Sequence, residues 1–157
     1  MSPDLSMSWW IDRVVEAARE VAELSLGGAS FEMLSRTQGL PSWLEGSTIA
    51  LVGDRCSTQI GLWSNDAGCK RLAGLMLGMG PDEELEDDGV TDAICELANV
   101  LAGVVKTKIA ANLPGFQLGM PMYFRGALNV ANGTEAGSAE AQVSDVRLHL
   151  IVLKSQR

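Results

Sequence analysis

Two carboxylates, an amide and a glycine recur at helical spacing between positions 92 and 103: Asp92, Glu96, Asn99 and Gly103. Projected at 100° per residue, they fall within about 60° of one another, opposite Ile94, Leu97, Leu101, Val104 and Val105. Lys106 lies beside this stripe and Ala110 continues it, while Lys108 falls among the apolar positions as an exception. A glutamate accepts hydrogen bonds from a cation, and an asparagine both donates and accepts. A rigid helix would present the two in fixed geometry. The stripe has no Ser, Cys or His with which to form a covalent intermediate, so it suits orienting a water or contacting a charged partner. Gly103 and Ala110 keep the surface low enough for another protein to approach closely. Taken alone, the pattern reads first as the exposed polar face of an ordinary amphipathic helix.

The remaining reactive residue types are sparse. His149 is the sole histidine and sits in the strand-like run RLHLIVL. Cys56, Cys69 and Cys95 are odd in number and contain no CxxC pair, which fits neither a disulfide framework nor a zinc site. Cys95 projects away from the polar stripe and reads as a buried thiol. Trp9, Trp10, Trp43 and Trp63 read as core or interface anchors, and Met76, Met79, Met120 and Met122 as core filler or a subunit contact.

Composition narrows the classes further. A chain of 157 residues, 46% hydrophobic and 20% charged, fits one globular domain spanning 1–157. Twenty acidic residues against twelve basic ones leave a net charge of −8, and no stretch supplies the cationic face that nucleic acid requires. No apolar run reaches the length of a membrane span, and the start lacks the basic and apolar regions of a signal peptide. The expectation is a cytoplasmic protein without a metal site, bound to neither membrane nor nucleic acid.

Several elements must position the stripe. The spacing of Ile11, Val14, Val15, Ala18, Val21 and Leu24 predicts a helix over 10–24, capped by Ser6 or Ser8 and ended by Gly27-Gly28. Residues 29–46 read as a loop, with Gly39, Pro41 and Gly46 as breakers. Strands are expected at 47–53 and 56–63, joined as a hairpin through Gly53-Asp54-Arg55. Ser64-Asn65-Asp66 offers caps for a short helix over 67–79, ending between Gly78 and Pro81. The run DEELEDD at 82–88 reads as a solvated linker whose last carboxylates sit at the positive end of the next helix. That helix, over 89–112, is the longest and carries the stripe. Strands return at 117–124, 127–130 and 146–153, with Pro121 marking an edge or a bulge. ANGTEAGSAEA at 131–141 reads as a loop. The order argues α+β with a mainly antiparallel sheet.

Asp92-xxx-Glu96-xx-Asn99, followed by Gly103 and by Pro121, resembles the signature of the CheC/CheX/FliY family of chemotaxis phosphatases. ELANVLAGVVK is similar to that family's ExxNxxxG helix, and GMPMYFRG to its strand with Pro and a following Gly. The preceding STIALVGDRCSTQIGLWSNDAGCKRLAGLMLGM is similar to its hairpin and helix, so the resemblance covers roughly residues 10–153. A single motif copy is more like CheX than CheC, for EAAREVAEL in the first helix region holds no ExxN. Two positions depart from the pattern: Pro121 follows Asn99 after 21 intervening residues, slightly short of the usual spacing, and Val104 stands where the family often has Asn.

The resemblance implies a CheC-like fold, a mainly antiparallel sheet packed against two long helices, and a homodimer joined through sheet elements. It also implies hydrolysis of the aspartyl phosphate on a CheY-type response regulator. Asn99 would then orient the attacking water and Glu96 would dock the partner's Lys, with Asp92 and Gly103 in the partner-binding surface. The chain would need no cofactor of its own, because the regulator would supply Mg²⁺. A neutral amide suits the water-positioning role, since another anion beside the phosphoryl oxygens would be repelled. Asp92 has a plainer reading as a carboxylate complementing the helix dipole. The alternative is a non-catalytic module that holds a regulator or flagellar-switch component with the same helix. A standalone metabolic enzyme is a weaker rival, given one histidine and no phosphate loop.

Overall fold

Amphipathic helices cover one face of an antiparallel sheet in the computed structural model, which describes residues 5–156 apart from 43, 55 and 81, and the side chains apart from those of 38 and 156. The expectations for Trp43, Arg55 and Pro81 therefore lie outside the described residues. The chain runs α1 (Met7–Ser25), β1 (Phe31–Gln38), β2 (Leu44–Val52), β3 (Cys56–Ser64), α2 (Asp66–Leu77) and α3 (Asp87–Ile109). It closes with β4 (Gln117–Leu118), β5 (Met122–Gly126), β6 (Thr134–Val143) and β7 (Val146–Gln156). The strands order as β1-β6-β7-β3-β2-β4, and β5 also pairs with β2. All pairings are antiparallel.

The three helices form where caps and apolar stripes coincide. Ser6 Oγ accepts from the Trp9 amide at 3.2 Å and starts α1, while Asn65 Oδ1 accepts from the Gly68 amide at 2.7 Å and starts α2. Gly78 ends α2 at φ 70°, a left-handed geometry that favours glycine. Asp87 and Asp88, the end of the acidic run, lie in the first turn of α3, and Lys106 and Lys108 in its last, both arrangements complementing the dipole. Trp10, Ile11 and Val14 of α1 meet Ile94, Leu97 and Leu101 of α3 over Ile60, Leu148, Leu150 and Val152 of the sheet. A smaller cluster on the opposite sheet face joins Leu44, Trp63, Ile151 and Leu153 with Phe124. The long helices, α1 and α3, and the mainly antiparallel sheet are those expected.

Two segments read as loops are strands. β1 lies within 29–46 and pairs with β6, its register shifting between Met33 and Ser35. The extra residue, Leu34, stands exposed, and the bulge destroys the period-two alternation that would have announced a strand. β6 lies within 131–141 and beyond, and its inward side chains are small because α1 crosses close above it. A Cβ added to Gly137 would come within 2.7 Å of Met7 Cγ, and Ala139 and Ala141 are fully buried. Alanine and glycine have little strand propensity, so close packing produced a loop-like sequence. The strand expected at 117–124 is instead two, β4 and β5, interrupted at Gly119, Met120 and Pro121, and 127–130 is not a strand. The helix expected to reach 112 ends at Ile109, with residues 110–112 in a turn.

Candidate functional site

α3 is clamped along three sides and bare along the fourth. Ala98 and Ala102 pack on Ile49 of β2, with Leu118 against them, and their small size lets the helix lie near the sheet. On the other flank Lys108 Nζ reaches Glu20 Oε1 of α1 at 2.6 Å. The lysine that fell among apolar positions thus runs its stem along α1 and pairs at the surface. The bare side is the stripe. Asp92 and Glu96 are exposed, and Asn99 and Gly103 are half-buried. The helix brings all four together on one face, as the spacing predicts.

Among the described residues, no hydrogen bond or ion pair engages the side chains of Asp92, Glu96 or Asn99. A Cβ built on Gly103 meets nothing within 4 Å, so packing inside the chain gives no reason for a glycine there. The Thr107 hydroxyl donates to the Gly103 carbonyl oxygen at 3.2 Å, a bond that leaves the outward surface of Gly103 open. A surface cleft of about 390 Å³ lies elsewhere, between α2 and Met79, Gly80 and Leu85, with Lys70, Arg71, Glu83 and Glu84 on its walls. The stripe is therefore a convex helix surface with free polar groups. Such a surface suits a macromolecular partner whose own concavity receives it, more than a small molecule that needs enclosure.

Cys95 flanks the stripe on the β2 side. It is half-buried rather than fully buried, and it accepts a hydrogen bond from Ser47 Oγ at 3.7 Å. Beyond it lies a polar cluster that sequence reasoning missed. Glu45 of β2 is 4% exposed and receives the Tyr123 hydroxyl and Arg125 Nε of β5, the latter at 2.7 Å. Arg125 also approaches Asp66, the first residue of α2, at 3.6 Å. Burial and the bond to Glu45 push the Tyr123 hydroxyl well above the usual tyrosine range. The Cys69 thiol donates to the Glu45 carbonyl oxygen at 3.3 Å and is pushed by burial to about 11, which makes it inert at neutral pH. Together these groups tie β5 to β2 beside α3. The signal was the alternation of Glu45, Ser47, Ile49 and Leu51, obscured because Glu45 and Gly46 fell inside the segment read as a loop.

The other tryptophan, methionine and histidine candidates lie outside α3. Trp10 and Trp63 are 1% exposed core residues, and Trp9 is half-buried against Trp10. Met120 and Met122 are 83% and 66% exposed, so they fill no part of the core. His149 is half-buried between Glu140 and Trp63 in the strand pairing, and burial holds its imidazole below the usual range. Among the described residues, no three His, Cys, Asp or Glu side chains gather as metal ligands, and no helix is long and apolar enough to cross a membrane.

Comparison with known proteins agrees with this geometry. The family described as "Chemotaxis phosphatase CheX" matches residues 46–141, which include most of β2, all of β3 and α3, and both halves of the interrupted edge strand. No match is found among curated protein sequences. Among solved structures, the chemotaxis protein CheX from Vibrio vulnificus superposes with a TM-score of 0.76 at 14% identity, covering 94% of this chain and 99% of that one. The CheX of a CheX–CheY–BeF₃–Mg²⁺ complex from Borrelia burgdorferi gives 0.73 at 17% identity, covering 94% and 98%. FliY from Thermotoga maritima gives 0.62 at 12% identity, covering 97% and 92%. At these identities the superpositions establish the CheC-like fold, and the family match extends over more than half of the sequence. The chain belongs to the CheX family of chemotaxis phosphatases.

Proposed function

We propose that this protein hydrolyses the aspartyl phosphate of a CheY-type response regulator, with Asn99 orienting the attacking water and Glu96 docking a lysine of the partner. The observation that carries the reading is the bare face of α3. It holds an exposed carboxylate and a half-buried amide one turn apart, neither hydrogen-bonded to a described side chain, in a member of a phosphatase family. Water adds to phosphorus and the bond to the aspartyl oxygen breaks, releasing inorganic phosphate and the regulator's carboxylate. Such transfer needs little covalent help, so holding one water in line supplies most of what a second protein can add. The Asn99 amide oxygen can accept a proton of that water in a hydrogen bond without bringing a charge near the phosphoryl oxygens. Mg²⁺ comes with the regulator, where it offsets the phosphoryl charge.

Asp92 and Gly103 belong to the contact surface on either side of the catalytic pair. The structure of CheX with CheY from Borrelia burgdorferi supports a partner of this class. A homodimer is part of the reading, with the exposed Met120 and Met122 at the β4–β5 edge as apolar surface for a second copy. The site of action is the cytoplasm, where such regulators work.

The test is the loss of phosphate from a panel of phosphorylated CheY-type regulators, comparing wild type with Asn99→Ala and Glu96→Ala. Asn99→Ala is expected to lower the maximal rate while leaving binding largely intact, and Glu96→Ala to weaken binding itself. Unchanged affinity and rate for Glu96→Ala would remove that residue from the site. Binding to a regulator without any acceleration by wild type would favour a non-catalytic module.

A further inference from the structure

In a chain with twenty acidic and twelve basic residues, cations find partners easily, and nearly all do. Seven of the described Lys and Arg side chains are held in ion pairs. Arg19 lies over the Phe31 ring at 4.9 Å, and Lys154 donates to the Leu5 carbonyl oxygen. Among the described residues, only Lys106 is left without any of these contacts. It is exposed on α3, seven residues beyond Asn99 and rotated about 20° from it. That is about 10 Å along the helix axis. Helical side chains lean toward the N-terminus, which gives the Lys106 ammonium reach over the turn containing Gly103.

Complementing the helix dipole does not distinguish this lysine from Lys108, which shares the last turn and still reaches across to Glu20. What sets Lys106 apart is its place beside the stripe. Read from the N-terminal end, the face carries Asp92 and Glu96, then the neutral Asn99 and Gly103, then a cation. This is a directional charge pattern. A partner laid along it in one sense brings a cation to Glu96 and a carboxylate to Lys106, and the reverse sense opposes like charges.

We propose that Lys106 is a specificity-determining contact that pairs with an acidic side chain of the response regulator, two helical turns along α3 from the Asn99 that acts at the phosphoryl group. The inference rests on the function proposed above. Gly103 lies between the two contacts and lets the surfaces close until the pair forms. With a net charge of −8, the protein offers an acidic regulator no general attraction, and a local cation fixes both encounter and orientation.

The test is steady-state dephosphorylation of the regulator that wild type accelerates, at low and high salt, for Lys106→Arg, Lys106→Gln and Lys106→Glu, with Asn99→Ala as the control for chemistry. Lys106→Glu is expected to raise KM about tenfold and Lys106→Gln about threefold, with kcat unchanged, and high salt to narrow the gap. Lys106→Arg should restore wild-type KM. A purely structural role in the last turn would lower Tm in Lys106→Glu and leave KM alone, and that result overturns the proposal. So does a fall in kcat at constant KM, which would place the lysine in the chemistry. Wild-type activity with a KM indifferent to residue 106 overturns this inference alone, whereas absence of wild-type acceleration overturns the functional reading and this inference with it.

Discussion

Replacing Gly103 by alanine should make the protein more stable and a worse phosphatase. Gly103 sits inside a 23-residue helix, well before its last turn, with no positive φ and nothing within 4 Å of an added Cβ. Inside the chain the methyl group therefore meets no clash, and the Thr107 bond to the Gly103 carbonyl survives. Alanine exceeds glycine in helix propensity by about 0.8–1.0 kcal/mol. For a domain of this size, that raises Tm by about 2–4 °C. At the interface the sign reverses. If the regulator's backbone packs against the bare turn, a methyl group there is an overpacking defect of about 1–3 kcal/mol. That corresponds to a loss of roughly 5- to 150-fold in kcat/KM. The assays are thermal unfolding by circular dichroism and phosphate release from phosphorylated regulator under kcat/KM conditions. A stabilised variant with wild-type kcat/KM would mean that no partner reads Gly103. A destabilised variant would refute the structural premise itself, that the position faces open space.

Two further predictions concern the framework around the site. Tyr123→Phe deletes the hydroxyl that donates to the buried Glu45 carboxylate and should destabilise the fold by about 1–2 kcal/mol in urea unfolding; an unchanged midpoint would show that the Glu45 cluster does not hold β5. For His149, burial lowers the folded-state pKa below the ordinary 6.5, the neighbouring Glu140 opposing and Arg147 reinforcing that shift. Its contribution is present above the unfolded value and is lost as pH falls through the lowered folded one. Wild type should therefore lose more stability than His149→Gln between neutral pH and about pH 5, and parallel Tm–pH curves would contradict this.

What could be read from residues alone tracks how each element is held. α1 and α3 bury one stripe each, so Val14, Val21, Leu97 and Leu101 repeat at helical spacing and announce the helices. β3 and β7 bury both faces over Ile60–Ser64 and Leu150–Leu153, so short, mainly apolar runs of strand length announce them. β6 escaped because its helix-facing residues are glycine and alanine, sized by the closeness of α1 rather than by strand preference. β1 escaped because Leu34 bulges out and leaves most of an edge strand to solvent. The stripe was legible for the opposite reason. A face whose side chains bond to no described residue is free to carry its own pattern, and Asp92, Glu96, Asn99 and Gly103 keep it. The Glu45–Tyr123–Arg125 cluster joins residues about 80 apart in the chain, so the local alternation at Glu45 could place that carboxylate on the core face but not name its partners.

The most direct test of the central claim is the rate at which a phosphorylated CheY-type regulator loses ³²P in the presence of saturating protein, wild type against Asn99→Ala. Loss of an aligned water should lower the maximal rate by about two orders of magnitude, while binding to the same regulator persists. An Asn99→Ala variant that releases phosphate at the wild-type rate would contradict the assignment of Asn99 and the water-positioning mechanism with it.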